Sequence, residues 1–108
     1  MAAPRMTTSV LKVVAALLAE ADTERYGLQL MQDTGLPSGT LYPILVRLER
    51  AGWVASRWEE VDPVAEGRPT RRYYRLTGEG VVEARREVAL MRRQMSRATG
   101  PAGRAQEA

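Results

Sequence analysis

The stretch from Gly35 to Trp53 reads GLPSGTLYPILVRLERAGW, and it decides the fold. Apolar residues recur in it at intervals of three and four, the spacing that places side chains on one face of a helix. These positions are Leu41, Ile44, Leu45 and Leu48. Ser38 is a suitable N-cap for this helix, and Gly35 and Gly52 are suitable ends for the preceding helix and for this one. A short helix, a tight glycine-containing turn and this second helix together predict a helix-turn-helix.

The face of this helix that lies opposite the apolar stripe is unusual for a solvated surface. An ordinary exposed face carries Glu and Lys, whereas this one combines hydroxyls, a glycine, a tyrosine and a proline with arginines. Its residues are Ser38, Gly39, Thr40, Tyr42, Pro43, Val46, Arg47 and Arg50. Hydroxyls and unpaired N–H groups at a helix N-terminus bind phosphates, and Tyr and Arg reach phosphates or base edges. The pattern favours a face that enters a duplex groove, with a first turn shaped by Pro43, which cannot donate to the Gly39 carbonyl.

Two shorter helical patterns precede this helix. The first runs from Thr8 to about Glu20, with Thr8 as its expected cap. Its inward positions are Val10, Val14, Leu17 and Leu18. The second runs from Tyr26 to Asp33, with Leu28 and Met31 expected to face inward.

Two β-like runs follow, at residues 53–61 and 70–77, and a turn-rich segment joins them. They predict a two-stranded wing whose loop is longer than a hairpin needs, which indicates a contact at its tip. Arg68, beside Pro69, is placed to enter a minor groove or to follow the phosphates. Two interpretations remain open for the basic cluster: contact with nucleic acid, or pairing with Glu59 and Glu60 across the strands. The cluster is Arg68, Arg71, Arg72 and Arg75.

Among these arginines, Arg68 and Arg71 are the first candidates for nucleic acid, and Arg75 is expected to be structural. Neighbouring residues of a strand project to opposite faces, so only one of Tyr73 and Tyr74 can be in the core. Tyr74 shares its face with Leu76, and it is therefore the predicted core tyrosine.

A final helix is predicted over residues 77–98, with Thr77 as its cap. Its apolar positions alternate by three and four, as in a packed seam. They are Val81, Ala84, Val88, Met91, Met95 and Ala98. This seam can pack on its own domain or against a second copy. Because a chain of 108 residues has little core left to cover such a helix, a homodimer is predicted.

Composition narrows the function classes. The chain has no Cys and no His, which excludes thiol chemistry and removes the commonest general base and metal ligand. No catalytic residue, metal site or cofactor is predicted, and an enzyme is the least expected class. The net charge is only +3, so positive charge matters where it is clustered. The apolar run 10–19 is interrupted by Lys12 and is too short to span a membrane, so a cytoplasmic protein is expected.

Three stretches together resemble the PadR family of bacterial transcriptional regulators: YGLQLMQ at 26–32, LPSGTLYPILVRLERAGW at 36–53 and GRPTRRYYRLTGEG at 67–80. The resemblance implies a winged-helix repressor that dimerises through its terminal helix, binds palindromic operators and is released by an effector. Since one helix follows the wing, the chain is similar to the short subfamily, in which some members bind flat aromatic compounds at the dimer interface. Those members use a tryptophan of the terminal helix, and residues 77–108 contain none.

By matching position, the resemblance places Ser38, Thr40 and Tyr42 at the start of the recognition helix, Tyr26 at the start of the second helix, and 68–72 in the wing. The complete set of expected DNA-binding residues is Tyr26, Ser38, Gly39, Thr40, Tyr42, Pro43, Arg47, Arg68, Pro69, Arg71 and Arg72. The six seam positions are the expected dimerisation residues, with a small-molecule effector as a candidate ligand at that interface.

The expected fold is α+β, mostly α: a winged helix-turn-helix of three helices and a two-stranded wing, followed by a dimerisation helix. The expected boundaries are a flexible arm at 1–7, the winged-helix domain at 8–77, the dimerisation helix at 77–98 and a disordered tail at 99–108. The expected function is a sequence-specific DNA-binding regulator, a homodimeric repressor. The alternative is a winged helix that binds a protein partner or RNA.

Overall fold

The computed structural model describes residues 3–98, and the predicted tail at 99–108 lies outside them. Helices dominate these residues, and three short strands form one sheet. The elements are α1 Thr8–Ala19, β1 Arg25–Tyr26, α2 Gly27–Thr34, α3 Ser38–Arg50, β2 Val54–Trp58, α4 Pro63–Glu66, β3 Arg72–Leu76 and α5 Gly78–Ala98. The predicted α+β, mostly helical class is confirmed.

The core lies where α1, α2 and α3 pack against the inner face of the sheet. All four stripe positions of α3 are buried, as predicted, and Val13, Val14 and Leu17 of α1 meet them. Burial of an aliphatic side chain of this size contributes about 1.5–3 kcal/mol relative to exposure. The stripe therefore fixes which face of α3 remains outside. Met6, within the predicted flexible arm, also packs against this core.

The prediction for α2 was confirmed for Met31, which packs against the core, and was wrong for Leu28. Leu28, expected to face inward, is 53% exposed, whereas Leu30 is completely buried. The helix begins one residue later than predicted, and Tyr26 is its N-cap, with the Tyr26 N–H donating to the Gln29 side chain at 3.0 Å. The inward face then carries residue 27 and, one turn later, residues 30 and 31, and Leu28 lies to the side.

Two predicted caps are displaced by one residue. Thr7 rather than Thr8 caps α1, because its hydroxyl accepts from the Val10 N–H at 3.2 Å. Pro37 rather than Ser38 occupies the N-cap position of α3, without a side-chain hydrogen bond. Thr77 caps α5 as predicted: its hydroxyl accepts from the Gly80 N–H at 2.9 Å and donates to a carbonyl at 2.7 Å.

The sheet has three strands in the order β1-β3-β2 rather than the predicted two. Strands β2 and β3 form the antiparallel wing, and β1 adds two residues to the free edge of β3, with Tyr26 opposite Tyr73. A two-residue strand is too short to show a period in the sequence. Tyr74 is buried as predicted, and of the two tryptophans Trp53 is buried while Trp58 is 58% exposed.

Helix α5 is closely fitted to the domain only at its start. Gly80 and Ala84 are its buried residues. A Cβ atom on Gly80 would overlap the Trp53 carbonyl, which explains a glycine in the first turn of a helix. Among the described helices, none is both long and apolar enough to cross a membrane.

Candidate nucleic-acid interface

The outer face of α3 and the wing border one groove with a volume of about 690 Å³. Its walls come from the start of α2, from α3 and from both strands of the wing. They comprise residues 26–28, Tyr42, Val46, Trp58, residues 68–72 and Tyr74. Apolar and aromatic side chains therefore alternate with arginines, and this lining contains no carboxylate.

The residues predicted on the outer face of α3 do lie outside. Ser38, Gly39, Pro43 and Arg47 are exposed, and Thr40 is half-buried. Pro43 lies within the helical segment, so no N–H at this position donates to the preceding turn. The Nε of Arg47 donates to the Pro43 carbonyl at 3.4 Å, which lays this arginine along the helix surface.

Tyr42 has a neighbour that the sequence did not identify. It is 41% exposed, and its hydroxyl end lies so close to Gly27 that a Cβ atom there would overlap it. Gly27 is buried in the first turn of α2. The only sequence signal was a glycine in a helical turn, where it costs stability relative to alanine. Gly27 thus sets how deeply the Tyr42 ring can lie against α2.

Tyr26 and Arg71, both predicted DNA-binding residues, are stacked on each other. The Arg71 guanidinium lies 4.3 Å from the Tyr26 ring centre, in the range of a cation–π contact. The Tyr26 ring meets the Tyr73 ring edge-on at 5.8 Å, and Arg57 lies 5.1 Å over Tyr73. Within residues 3–98, the Arg71 guanidinium has no carboxylate within ion-pair distance. The stack holds an unneutralised charge at the groove.

Arg68 is paired across the strands in this structure. Its Nη1 and Nη2 donate to the Glu59 carboxylate at 2.7 and 3.0 Å, so it forms the cross-strand pair that was the alternative interpretation. Glu59 also accepts from the Arg71 backbone N–H and from the Tyr73 hydroxyl, each at 3.3 Å. The hydrogen bonds from Arg68, followed by that from the Arg71 backbone, lower the pKa of Glu59 from 4.5 to about 2. Arg68 closes the loop beside Pro69, which is exposed.

Arg72 and Arg75 have different surroundings. Arg72 donates to the Ser56 hydroxyl at 2.8 Å and lies 3.6 Å from Glu49 of α3, so it connects the wing to α3. Arg75, the predicted structural arginine, is exposed and forms no ion pair with the part of the chain described here. The sequence does not show which arginines form ion pairs, because pairing depends on whether the fold places a carboxylate opposite them.

The sequence also missed a structural arginine on the other side of the sheet. Arg25 is 8% exposed and forms ion pairs with Glu20 and Asp33. Its Nη1 donates to the Ala16 carbonyl at 3.2 Å. It therefore joins the end of α1 to the end of α2 and holds the helix-turn-helix against α1.

The seam positions of α5 divide into two groups. Ala84 is completely buried in its own chain, and Val81 packs against the core. Val88 and Met91 are half-buried, and Met95 is 60% exposed; Ala98 is exposed as well. The first two positions thus attach α5 to the domain, and the apolar surface begins after them.

A sequence profile of the transcriptional regulator PadR-like family matches residues 14–86. The chain belongs to the PadR-like family. This range begins within α1 and contains the rest of the winged helix and the attached start of α5. The PadR-like chain is accordingly a DNA-binding regulator of transcription. Among the described residues, no group of three or more acidic side chains is arranged to hold a metal ion.

Solved structures show the same fold. A PadR-like transcription factor from Bacteroides fragilis has 24% identity and a TM-score of 0.70, covering 85% of this chain and 87% of that chain. A PadR family regulator from Clostridium difficile R20291 has 22% identity and a TM-score of 0.64, covering 87% of this chain and 100% of that chain.

The PcaV regulator from Streptomyces coelicolor, solved with its natural ligand, has 23% identity and a TM-score of 0.68, covering 97% of this chain and 71% of that chain. At these identities the likeness concerns the fold. No curated protein sequence matches this chain significantly.

Proposed function

We propose that this PadR-like chain is a cytoplasmic, homodimeric repressor that inserts α3 into the major groove of a palindromic operator. The observation that carries the proposal is the shared groove: the outer face of α3 and the unneutralised Arg71 border it, and no carboxylate lines it. A duplex presents bases to a helix and phosphates to the flanking elements. The wing arginine then lies on the phosphate side of the reading helix.

The ion pairs favour a division of labour among the arginines. Arg71, Arg47 and Arg50 have no ion pair within residues 3–98, whereas Arg68 and Arg72 are committed to carboxylates. An arginine in an ion pair has part of its charge neutralised and fewer N–H donors left for a phosphate, whereas an arginine without an ion pair keeps its full charge. Arg71 is therefore the proposed phosphate contact of the wing, and Arg68 and Arg72 maintain the shape of the wing.

The test is a salt titration. The full chain is used to select an operator from randomised duplexes, and its affinity is then measured by fluorescence anisotropy at several salt concentrations. Each lost phosphate contact lowers the slope of log affinity against log salt by about 0.9. Arg71→Ala should lower the slope by about this much, and Arg85→Ala, which removes the same charge from α5, should leave it unchanged.

Two results would count against DNA binding through this surface. Equal slopes for Arg71→Ala and the unmodified chain would remove the proposed wing contact. Absence of any binding to duplex DNA at low salt would instead favour the winged helix as a protein-binding or RNA-binding module.

The proposal of a homodimer is supported by the second half of α5. After Ala84 no residue of this helix is buried, although Val88, Met91 and Met95 continue the stripe. An isolated helix of this length is marginal in water, so the segment needs a partner. The acids Glu79, Glu83 and Glu87 lie early and the bases Arg92, Arg93 and Arg97 lie late.

A second copy of the chain can cover the apolar stripe of α5 and can pair with its charged residues. In an antiparallel pair of α5 helices, the three early acids of each helix lie toward the three late bases of the other, and Arg85 and Arg86 leave only a small negative charge on the first half. A two-fold axis gives two reading helices for a palindrome. Light scattering coupled to gel filtration tests this assembly. Met91→Glu should yield a monomer with weakened operator binding, whereas Val82→Glu, on another face of α5, should remain a dimer. A dimer that survives Met91→Glu would refute this interface.

Release by a small effector completes the proposal. PcaV, which shares the fold, is solved with a natural ligand, and this supports the proposal of a small ligand for the present chain. A small-molecule screen for loss of anisotropy from the operator complex is the direct test. A compound that dissociates the complex should bind the chain in the absence of DNA, and failure of every tested class would leave this regulator without the proposed release step.

A further inference from the structure

The outer face of α3 has a limited set of groups for reading bases. The sequence of α3 contains neither Asn nor Gln, the amides that pair most specifically with adenine. Its carboxylate, Glu49, accepts from the Ser56 hydroxyl at 2.9 and 3.0 Å and lies 3.6 Å from Arg72. The side chain suited to the cytosine amino group is therefore occupied.

Val46 occupies the middle of this face. It is 46% exposed and lies one helical turn after Tyr42 and one turn before Arg50, on the same side of α3. It borders the groove with Tyr42 and Trp58 on one side and a depression with Glu49 and Arg50 on the other. An exposed, β-branched residue is disfavoured in a helix. Stability of α3 alone does not explain a valine at this position.

A valine side chain can read one feature of the major groove. It forms no hydrogen bonds, and the 5-methyl group of thymine is the apolar group that base pairs present there. Contact between the two buries apolar surface on both partners, worth about 0.8 kcal/mol per carbon. That energy corresponds to about a fourfold change in affinity at room temperature.

We propose that Val46 contacts the methyl group of a thymine in each operator half-site. The proposal rests on the proposed function, in which α3 lies in the major groove, and it adds the identity of a base to that function. Tyr42 and Arg50 flank this position along the helix. Val46 is therefore a specificity-determining residue.

The test uses deoxyuridine, which differs from thymidine only by the missing methyl group. Operators selected with the full chain are synthesised with each thymine replaced in turn by deoxyuridine, and affinities are measured by anisotropy. At one thymine of each half-site, the unmodified chain should lose about fourfold in affinity. Val46→Ala should bind the thymine operator more weakly and show no further loss with deoxyuridine at that position. Val82→Ala, an exposed valine on α5, is the matched control and should behave like the unmodified chain.

Different outcomes test the two proposals separately. If the unmodified chain binds no duplex, the proposed function itself is refuted. If it binds its operator but no deoxyuridine replacement lowers the affinity, or the loss persists undiminished in Val46→Ala, only the thymine contact is overturned. A selected operator without a recurrent thymine in its half-sites overturns that contact as well.

Discussion

We expect Gly27→Ala to displace Tyr42 and weaken operator binding while leaving the stability of the domain nearly unchanged. A Cβ atom at position 27 overlaps the hydroxyl oxygen of Tyr42 and lies 2.7 Å from its ring carbon Cζ. The overlap involves the far end of a side chain that is 41% exposed, so the ring can rotate outward into solvent. Displacement from a preferred rotamer costs about 0.5–1.5 kcal/mol. The exchange of glycine for alanine in a helix returns about 0.5–1 kcal/mol.

These terms nearly cancel, so we expect the free energy of unfolding to change by less than about 1 kcal/mol. For a domain of this size that is a shift in Tm below about 8 °C. Operator binding should nevertheless fall, because Tyr42 leaves its position on the reading face. Loss of one specific contact costs about 1–3 kcal/mol, or at least about fivefold in affinity.

Gly80→Ala provides the matched comparison. At this position the added Cβ atom meets the Trp53 carbonyl of the backbone, which cannot rotate away. Overpacking of this kind costs about 1–3 kcal/mol, so Gly80→Ala should lower the Tm clearly. Thermal unfolding by circular dichroism and anisotropy with the selected operator measure both effects in the same samples.

The double variant Gly27→Ala/Tyr42→Ala is decisive for the mechanism. If Gly27→Ala acts by moving Tyr42, it should weaken binding no further once the ring has been removed. The reasoning is refuted if Gly27→Ala retains full operator affinity, or if it destabilises the domain as strongly as Gly80→Ala.

Three further predictions concern the wing, α3 and α5. Glu59 has a folded-state pKa of about 2 against an ordinary 4.5, so its stabilising contribution is complete above pH 4.5 and is lost as the pH falls towards 2; Glu59→Gln should flatten the fall in Tm over this window, and an unchanged fall would disprove the assignment. Pro43→Ala restores the missing hydrogen bond to Gly39 and should raise the free energy of unfolding by up to about 3 kcal/mol in urea titrations, with reduced operator specificity; unchanged specificity would leave the proline without a recognition role. Thr77→Ala removes the cap of α5 and a hydrogen bond to the Gly52 carbonyl and should cost about 1–2 kcal/mol, whereas a conserved Tm would show that Trp53 packing alone positions α5.

Much of the architecture followed from local chemistry. The stripe from Leu41 to Leu48 required a buried face, and subtraction of that face left Tyr42 and Arg47 outside. Thr77 was identified as a cap because threonine before a helical pattern accepts from the first turn. Strand alternation placed Tyr74 inward and its neighbour Tyr73 on the opposite face of β3. In each case the signal lies within one helical turn or one strand.

The differences arose from the start of a short helix and from partners in different elements. Leu28 was assigned inward because a one-residue shift in the start of α2 is invisible to a short apolar pattern. Arg68 forms an ion pair with Glu59, whereas Arg75, the predicted structural arginine, forms none within residues 3–98.

By itself the sequence determined a winged helix of the PadR-like family and the face of α3 that points outward, because helical periodicity and turn chemistry are local properties. Only the tertiary structure decided which arginines remain unneutralised, that Gly27 limits Tyr42, and that β1 extends the sheet. Ion pairing and steric contact depend on distances between residues far apart in the chain, and those distances exist only after α1, α2, α3 and the wing have packed.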